Sequence, residues 1–135
     1  MTANVEYLGE LRTVAVHTLS GNCINTDAPP DNNGKGEAFS PTDLLATSLA
    51  TCILTTIGIV ARRDGMAPID GAKAEVIKVM YSDPRLVGEV NIKIIFPERP
   101  FTERERKVYE NTAHTCPVAR SLHPDLKQAI EFIWL

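Results

Sequence analysis

The sequence predicts an α+β fold, because runs of strand-like residues are separated by helical segments instead of alternating with them strictly. Apolar residues with a period of two dominate the first third, and one long apolar segment from 40 to 63 follows. The predicted order is three strands, a helix, two strands, two helices and a last strand. A chain of 135 residues fits one domain over 1–135 and can fold without a disulfide or a structural metal.

The N-terminal strands are predicted from alternation and from turn residues. Residues 3–8 and 11–18 form a β-hairpin in this prediction, with the turn around Gly9. A short third strand covers 23–26, after the turn signal Ser-Gly-Asn. Residues 27–39 are rich in Pro, Gly and Asn, which predicts a loop.

The central helix carries signals at both ends. Ser40 is a suitable N-cap, Pro41 suits the first helical position, and Asp43 gives a capping-box arrangement. Two arginines at 62–63 favour the negative end of the helix, and Gly65 can close it in the left-handed conformation.

The interior of this helix is apolar and rich in β-branched residues. Such residues form helices poorly, so we expect tertiary burial to stabilise this one. The 18 residues from 44 to 61 carry no charge, which is the lower limit for a membrane span. They include Gly58 and five Ser or Thr residues, and we therefore expect a buried central helix and no membrane association.

The C-terminal half reads as a second set of strands and helices. Strands are predicted over 72–81 and 87–96, followed by an amphipathic helix over 103–113. The break at Cys116-Pro117 begins a short helix that runs through Leu122. Residues 127–134 form the last strand.

Composition excludes some classes of function. The formal net charge is -3 and no basic run is present, so no nucleic-acid partner is expected. The N-terminus lacks a charged segment followed by an apolar one, which leads us to expect a cytoplasmic protein. A cysteine in that compartment is more often catalytic, metal-binding or inert than part of a structural disulfide.

Cys52, halfway along the central helix, has two interpretations. It is a small core residue, as free cysteines often are, or it is a reactive thiol. A reactive thiol needs a stabilised thiolate, and Cys52 lies too far from the helix start to use its positive end. It would therefore need an arginine supplied by the fold.

Cys116 lies at a helix start, where backbone N–H groups favour a thiolate, and Arg120 follows one turn later. The alternative is a helix-terminal cysteine without a role. His114 is interpreted as a surface residue and Cys23 as structural. The three cysteines lack the spacing of metal ligands, so we expect no metal and no cofactor.

Two motifs together resemble the family of osmotically induced protein C and organic hydroperoxide resistance proteins, the OsmC/Ohr family. The first is Ser40-Pro41-Thr42-Asp43-Leu44-Leu45 ahead of the helical Cys52, and the second is Cys116-Pro117-Val118. The resemblance covers roughly residues 3–134. It implies an OsmC-like α+β fold in which two chains intertwine as a homodimer.

The resemblance also implies a peroxidase activity in oxidative-stress defence. Cys52 would attack an organic hydroperoxide and become a sulfenic acid, and Cys116 would condense with it to a disulfide. A dithiol reductant, such as a lipoylated protein, would then restore both thiols.

Peroxidase members of the family hold the thiolate with an arginine near the N-terminus and carry a glutamate ten residues before the helical cysteine. Arg12 corresponds to the arginine. Thr42 stands where the glutamate would be, and Glu37 in the preceding loop is the candidate carboxylate. Because of this departure, the sequence leaves open an alternative function: an OsmC-like homodimer without peroxidase activity that binds a small apolar ligand at its interface.

Overall fold

The computed structural model describes residues 1–135 and confirms the α+β fold, with the strands and helices in the predicted order. The chain forms two compact units, Met1–Leu45 and Ala46–Leu135. That the whole chain acts as one domain stays a prediction.

The first unit contains a three-stranded antiparallel sheet. Its strands are β1 (Ala3–Gly9), β2 (Arg12–His17) and β3 (Cys23–Asp27), in the order β1-β2-β3. Within the predicted loop, Pro30–Asn32 form a single 3₁₀ turn that the sequence analysis did not predict. Gly34 is required nearby, because a Cβ there would lie 1.7 Å from the carbonyl oxygen of Ala28.

One face of this sheet is apolar and exposed. Val5 pairs with Ala15, and Ala15 pairs with Ile24, so the three side chains lie in one row on the same face. Val5 is 67% exposed and Ile24 is 49% exposed. Tyr7, two residues after Val5, lies on this face and is 58% exposed.

The central helix, α1, covers Pro41–Arg63 and begins with the predicted capping box. The Asp43 backbone N–H donates to Ser40 Oγ at 3.1 Å, and the Ser40 N–H donates to Asp43 Oδ2 at 2.9 Å. The acidic side chain also lies at the positive end of the helix, which it stabilises.

From Ala46 onward, α1 belongs to the second unit and contributes a continuous buried stripe to its core. By length and composition alone the helix could cross a membrane. Its buried side chains pack into the protein core, and this burial helps to keep a segment rich in β-branched residues helical. The stripe consists of Ala46, Leu49, Ala50, Ile53, Ile57 and Ala61.

The second unit is built on a mixed three-stranded sheet. The strands β4 (Lys73–Tyr81) and β5 (Leu86–Phe96) are antiparallel, whereas β5 and β6 (Lys127–Trp134) are parallel. A parallel pair needs a crossover connection, which contains the helices α2 (Glu103–Ala113) and α3 (Pro117–Ser121).

Strand β5 is the centre of this core. Alternate residues on one of its faces are at most 2% exposed and join the same cluster as the helix stripe; they are Val90, Ile92, Ile94 and Phe96. At the end of the strand, Phe96 stacks on Trp134 with ring centroids 3.7 Å apart, and Phe101 and Tyr109 complete an aromatic cluster. The buried side chains of β5 and those of the helix that carries Cys52 therefore belong to one core.

Candidate active site

Cys52 lies on the side of α1 next to the buried stripe, where its thiol is half-buried and packs against the core. Thr56, one turn later, is close to both the backbone and the sulfur of this residue. The Thr56 hydroxyl donates to the Cys52 carbonyl oxygen at 2.7 Å, and its Oγ1 is 3.8 Å from Cys52 Sγ. The thiol thus lies at the border of an apolar core and a hydroxyl group.

Cys116 is fully buried and is the N-cap of α3. Its Sγ accepts a hydrogen bond from the Ala119 backbone N–H at 3.4 Å, in the way a serine or aspartate oxygen caps a helix. Pro117 follows at the first helical position and has no N–H to satisfy. The motif Cys-Pro-Val is therefore a local device that holds a thiol at a helix start.

Hydrogen bonds and burial shift the pKa values of these two thiols in opposite directions. Burial raises the pKa of Cys52, but hydrogen bonds from the Val118 backbone, the Cys116 side chain and the Thr56 hydroxyl together lower it below the usual value. Burial also raises the pKa of Cys116. The Ala119 N–H opposes this effect, yet the neighbouring Cys52 adds to it, and the net pKa is raised.

This arrangement brings the two predicted thiols together and makes them chemically unequal. Cys52 is the more acidic and more accessible sulfur, which suits a nucleophile. Cys116 is buried beside it, and its raised pKa favours the protonated form. Within this unit, the groups that lower the pKa of Cys52 are hydrogen-bond donors, and stabilisation of the thiolate by an arginine stays a prediction.

The other residues considered around the thiols lie further from this chemistry. His114 is exposed at the C-cap of α2, in agreement with its interpretation as a surface residue. Arg120 is also exposed and is not among the groups that shift either thiol's pKa. Cys23 is exposed on β3 and is a free cysteine. No group of three or more His, Cys, Asp or Glu side chains is arranged to hold a metal ion.

In the first unit, the two predicted charged residues also meet. Arg12 Nη2 lies 2.5 Å from Glu37 Oε2 and 3.3 Å from Asp27 Oδ2. Asp27 was not predicted as a site residue, but its side chain is only 1% exposed, against 60% for Glu37. Asp27 Oδ2 also accepts the Glu37 backbone N–H at 3.0 Å, so one buried carboxylate holds both the arginine and the loop that carries Glu37.

Sequence reasoning missed Asp27, Thr56 and Val118 for different reasons. Asp27 was read as the first loop residue, although a carboxylate directly after a strand is a common signal for loop-ordering hydrogen bonds. Thr56 was visible from its spacing of four residues after Cys52. Val118 contributes a backbone N–H, so its side chain gave no indication of a role at the site. Thr42, at the position of the family glutamate, lies 3.2 Å from Ser40 Oγ through its hydroxyl.

An open apolar groove lies along the second half of α1 and the segment that follows it. Its volume is about 730 Å³, which is within the range of small-molecule sites. Apolar residues form much of the lining, among them Ile59, Met66, Pro68 and Ile69.

The comparisons with known proteins agree on one family. A family model described as OsmC-like protein matches residues 34–131. A crystal structure from Psychrobacter arcticus, described as an osmotic stress induced and detoxification response protein, is 56% identical, with a TM-score of 0.92. The match covers 98% of this chain and 95% of that one. No curated protein matches the sequence.

More distant structures share the fold. An organic hydroperoxide resistance protein OsmC from Legionella pneumophila is 17% identical over 98% of this chain and 97% of that chain, with a TM-score of 0.75. An organic hydroperoxide resistance protein from Vibrio cholerae, with captopril bound in one of its active sites, is 18% identical. That match covers 98% of this chain and 91% of that one, with a TM-score of 0.69.

Proposed function

We propose that this chain, which belongs to the OsmC-like protein family, is a thiol-dependent peroxidase that reduces organic hydroperoxides. Cys52 is the residue that attacks the peroxide, and Cys116 is the residue that resolves the oxidised product. Family neighbours named for organic hydroperoxide resistance support the substrate class.

The opposite shifts of the two thiol pKa values carry this assignment. A peroxide-reducing cysteine must be a thiolate at neutral pH, and the lowered pKa of Cys52 favours that form. A resolving thiol need not ionise until the first has reacted, and the raised pKa of buried Cys116 is compatible with that order. The apolar surroundings of Cys52 suit an organic peroxide better than a charged one.

The proposed catalytic cycle has three steps. The Cys52 thiolate attacks the outer peroxide oxygen, the O–O bond breaks, and the leaving alkoxide takes up a proton to give an alcohol and a Cys52 sulfenic acid. The Cys116 thiol then attacks that sulfur, which forms the disulfide and releases water. A dithiol, in the proposal a free or lipoyl-linked one, reduces the disulfide and is itself oxidised.

Arg12 and Glu37 enter the proposal through the family resemblance, which assigns an arginine and a carboxylate to the charged part of the site. Their ion pair and the buried Asp27 beside it support a defined arrangement of these charges in the first unit.

The decisive experiment compares Cys52→Ser with the parent protein in the presence of cumene hydroperoxide and dihydrolipoamide. Peroxide consumption should fall to the rate of the dithiol alone, since no other thiol is placed to form the sulfenic acid. Cys23→Ser is the matched control, because it removes an exposed thiol outside the proposed site and should leave the rate unchanged. Intact mass should show the loss of two hydrogens after one equivalent of peroxide, and Cys116→Ser should abolish that loss.

Equal consumption by Cys52→Ser and the parent would contradict the peroxidase proposal. That result would favour the second candidate, a protein of this family that binds a small apolar ligand. The apolar groove beside α1 supports this candidate, because its volume of about 730 Å³ would accept such a ligand.

We further propose that the protein is a homodimer. The exposed apolar row on the sheet of the first unit supports an interface between copies, since side chains such as Val5 and Ile24 gain from removal from water.

A further inference from the structure

The hydroxyl of Thr56 has one proton and two acceptors within reach. It donates to the Cys52 carbonyl oxygen at 2.7 Å, the usual back-bond of a threonine in a helix. The same oxygen is 3.8 Å from Cys52 Sγ, so sulfur and hydroxyl are in contact while the proton points to the carbonyl.

Ionisation of Cys52 changes which acceptor, the carbonyl oxygen or the sulfur, forms the stronger hydrogen bond with the Thr56 hydroxyl. A protonated thiol can donate a hydrogen bond to Thr56 Oγ1, while the Thr56 hydroxyl continues to donate to the Cys52 carbonyl oxygen. A thiolate can only accept, and a hydrogen bond to a charged acceptor is stronger than one to a neutral carbonyl. The carbonyl of Cys52 lies within α1 and keeps its helical N–H partner four residues later, so it does not lose its only donor when the hydroxyl turns.

We propose that Thr56 is a catalytic residue of this site: its hydroxyl proton turns from the Cys52 carbonyl to the Cys52 sulfur when the thiolate forms. The rotation stabilises the nucleophile inside a largely apolar neighbourhood without a charged partner on the same helix. The inference rests on the proposed function for its role in the reaction, but thiolate formation itself needs no peroxide.

Other groups besides Thr56 also shift the pKa of the Cys52 thiol. From α3, the Val118 N–H and the Cys116 side chain also lower the pKa of Cys52, while burial of the thiol raises it. A test must therefore change Thr56 alone and leave both cysteines in place.

The experiment measures how fast iodoacetamide alkylates Cys52 at a series of pH values, with the Cys52 peptide followed by mass spectrometry. Thr56→Val keeps the shape of the side chain and removes the hydroxyl, and we expect the midpoint of the pH–rate curve to rise by about one unit. Thr56→Ser keeps the hydroxyl and should stay near the parent midpoint. Thr55→Val removes an exposed hydroxyl from the same helix and should shift nothing.

An unchanged midpoint in Thr56→Val would overturn the inference, and so would a shift in Thr56→Ser as large as that in Thr56→Val. If the valine variant does not fold, Thr56→Ala against Thr56→Ser makes the same comparison. Because no peroxide is present, this result is independent of the peroxide assay. A protein inactive towards peroxides could still show the shift, and an active one could lack it.

Discussion

Asp27 shows how a single buried carboxylate can organise part of a site. Arg12 and Asp27 face each other across β2 and β3, and the guanidinium is shared between this buried acid and the exposed Glu37. The Glu37 backbone N–H lowers the pKa of Asp27 most, and Arg12 lowers it further against the opposing effect of burial. The ionised form of Asp27 is therefore the one that stabilises the folded protein.

Replacement of this residue should produce a pH-dependent loss of stability. Because the folded-state pKa is lowered, the stabilisation is fully present above the unfolded carboxyl pKa of about 3.9 and disappears as the pH falls through the lower folded value. We expect Asp27→Asn to melt at a lower temperature than the parent at pH 7. The difference should shrink below about pH 4.

Thermal melts between neutral and acidic pH measure this difference. Asp125→Asn is the control, because its carboxylate is 92% exposed and its substitution should leave the melting temperature close to that of the parent at every pH. A gap between Asp27→Asn and the parent that did not change with pH would show that lost packing, and not lost charge, is responsible.

Among the elements, α2 holds the segment after α1 through two hydrogen bonds to the backbone of one residue, Ala67. Glu105 Oε1 accepts the Ala67 N–H at 2.8 Å, and the buried Tyr109 hydroxyl donates to the Ala67 carbonyl at 2.5 Å. The two residues are one helical turn apart, so they present their side chains on the same face. Glu105 also completes the capping box of α2 with Thr102. One helix thus fixes its own start and the neighbouring loop.

We expect Tyr109→Phe to reduce the free energy of unfolding by about 1–3 kcal/mol, because the partly buried Ala67 carbonyl loses its donor. Urea unfolding followed by circular dichroism measures the change. Tyr81→Phe removes the hydroxyl of a tyrosine that is 48% exposed and should cost less than about 0.5 kcal/mol. Similar losses of unfolding free energy in both variants would argue against a stabilising hydrogen bond from Tyr109 to Ala67.

The elements themselves were predicted well because their signals are local. Ser40, Pro41 and Asp43 mark the start of α1 by contacts within a few residues, and the structure has those contacts. The parallel pairing of β5 with β6 could not be predicted in this way. It joins Ile92 to Ile130 across a connection that contains two helices, and no local pattern specifies that register.

In the molecule as a whole, the apolar row on the first unit's sheet is one apolar surface that a single chain leaves exposed. Val5, Tyr7 and Ile24 are each about half or more exposed on one face of the sheet. Such a row supports the proposed association of two chains.

Light scattering after size exclusion should give the parent twice the mass of one chain. Val5→Asp places a charge in the apolar row and should shift the equilibrium towards the monomer, because the buried charge would lack a partner. Asn4→Asp is the matched control, since Asn4 precedes Val5, pairs with Val16 on the opposite face of the sheet and is exposed. A parent that elutes with the mass of one chain would refute the dimer, and equal dissociation by both variants would refute the choice of face.

The amino-acid pattern was enough to identify the α+β fold and the order of its elements, because periodicity, capping and short motifs act over a few residues. The roles predicted for Cys52, Cys116, Arg12 and Glu37 came from the family resemblance and stay predictions. The pattern could not assign different acidities to the two thiols. That difference arises when α3 brings Cys116 and the Val118 N–H to a sulfur 64 residues earlier in the chain. Burial and hydrogen bonding set a thiol's pKa, and both are properties of groups that meet only in the folded protein.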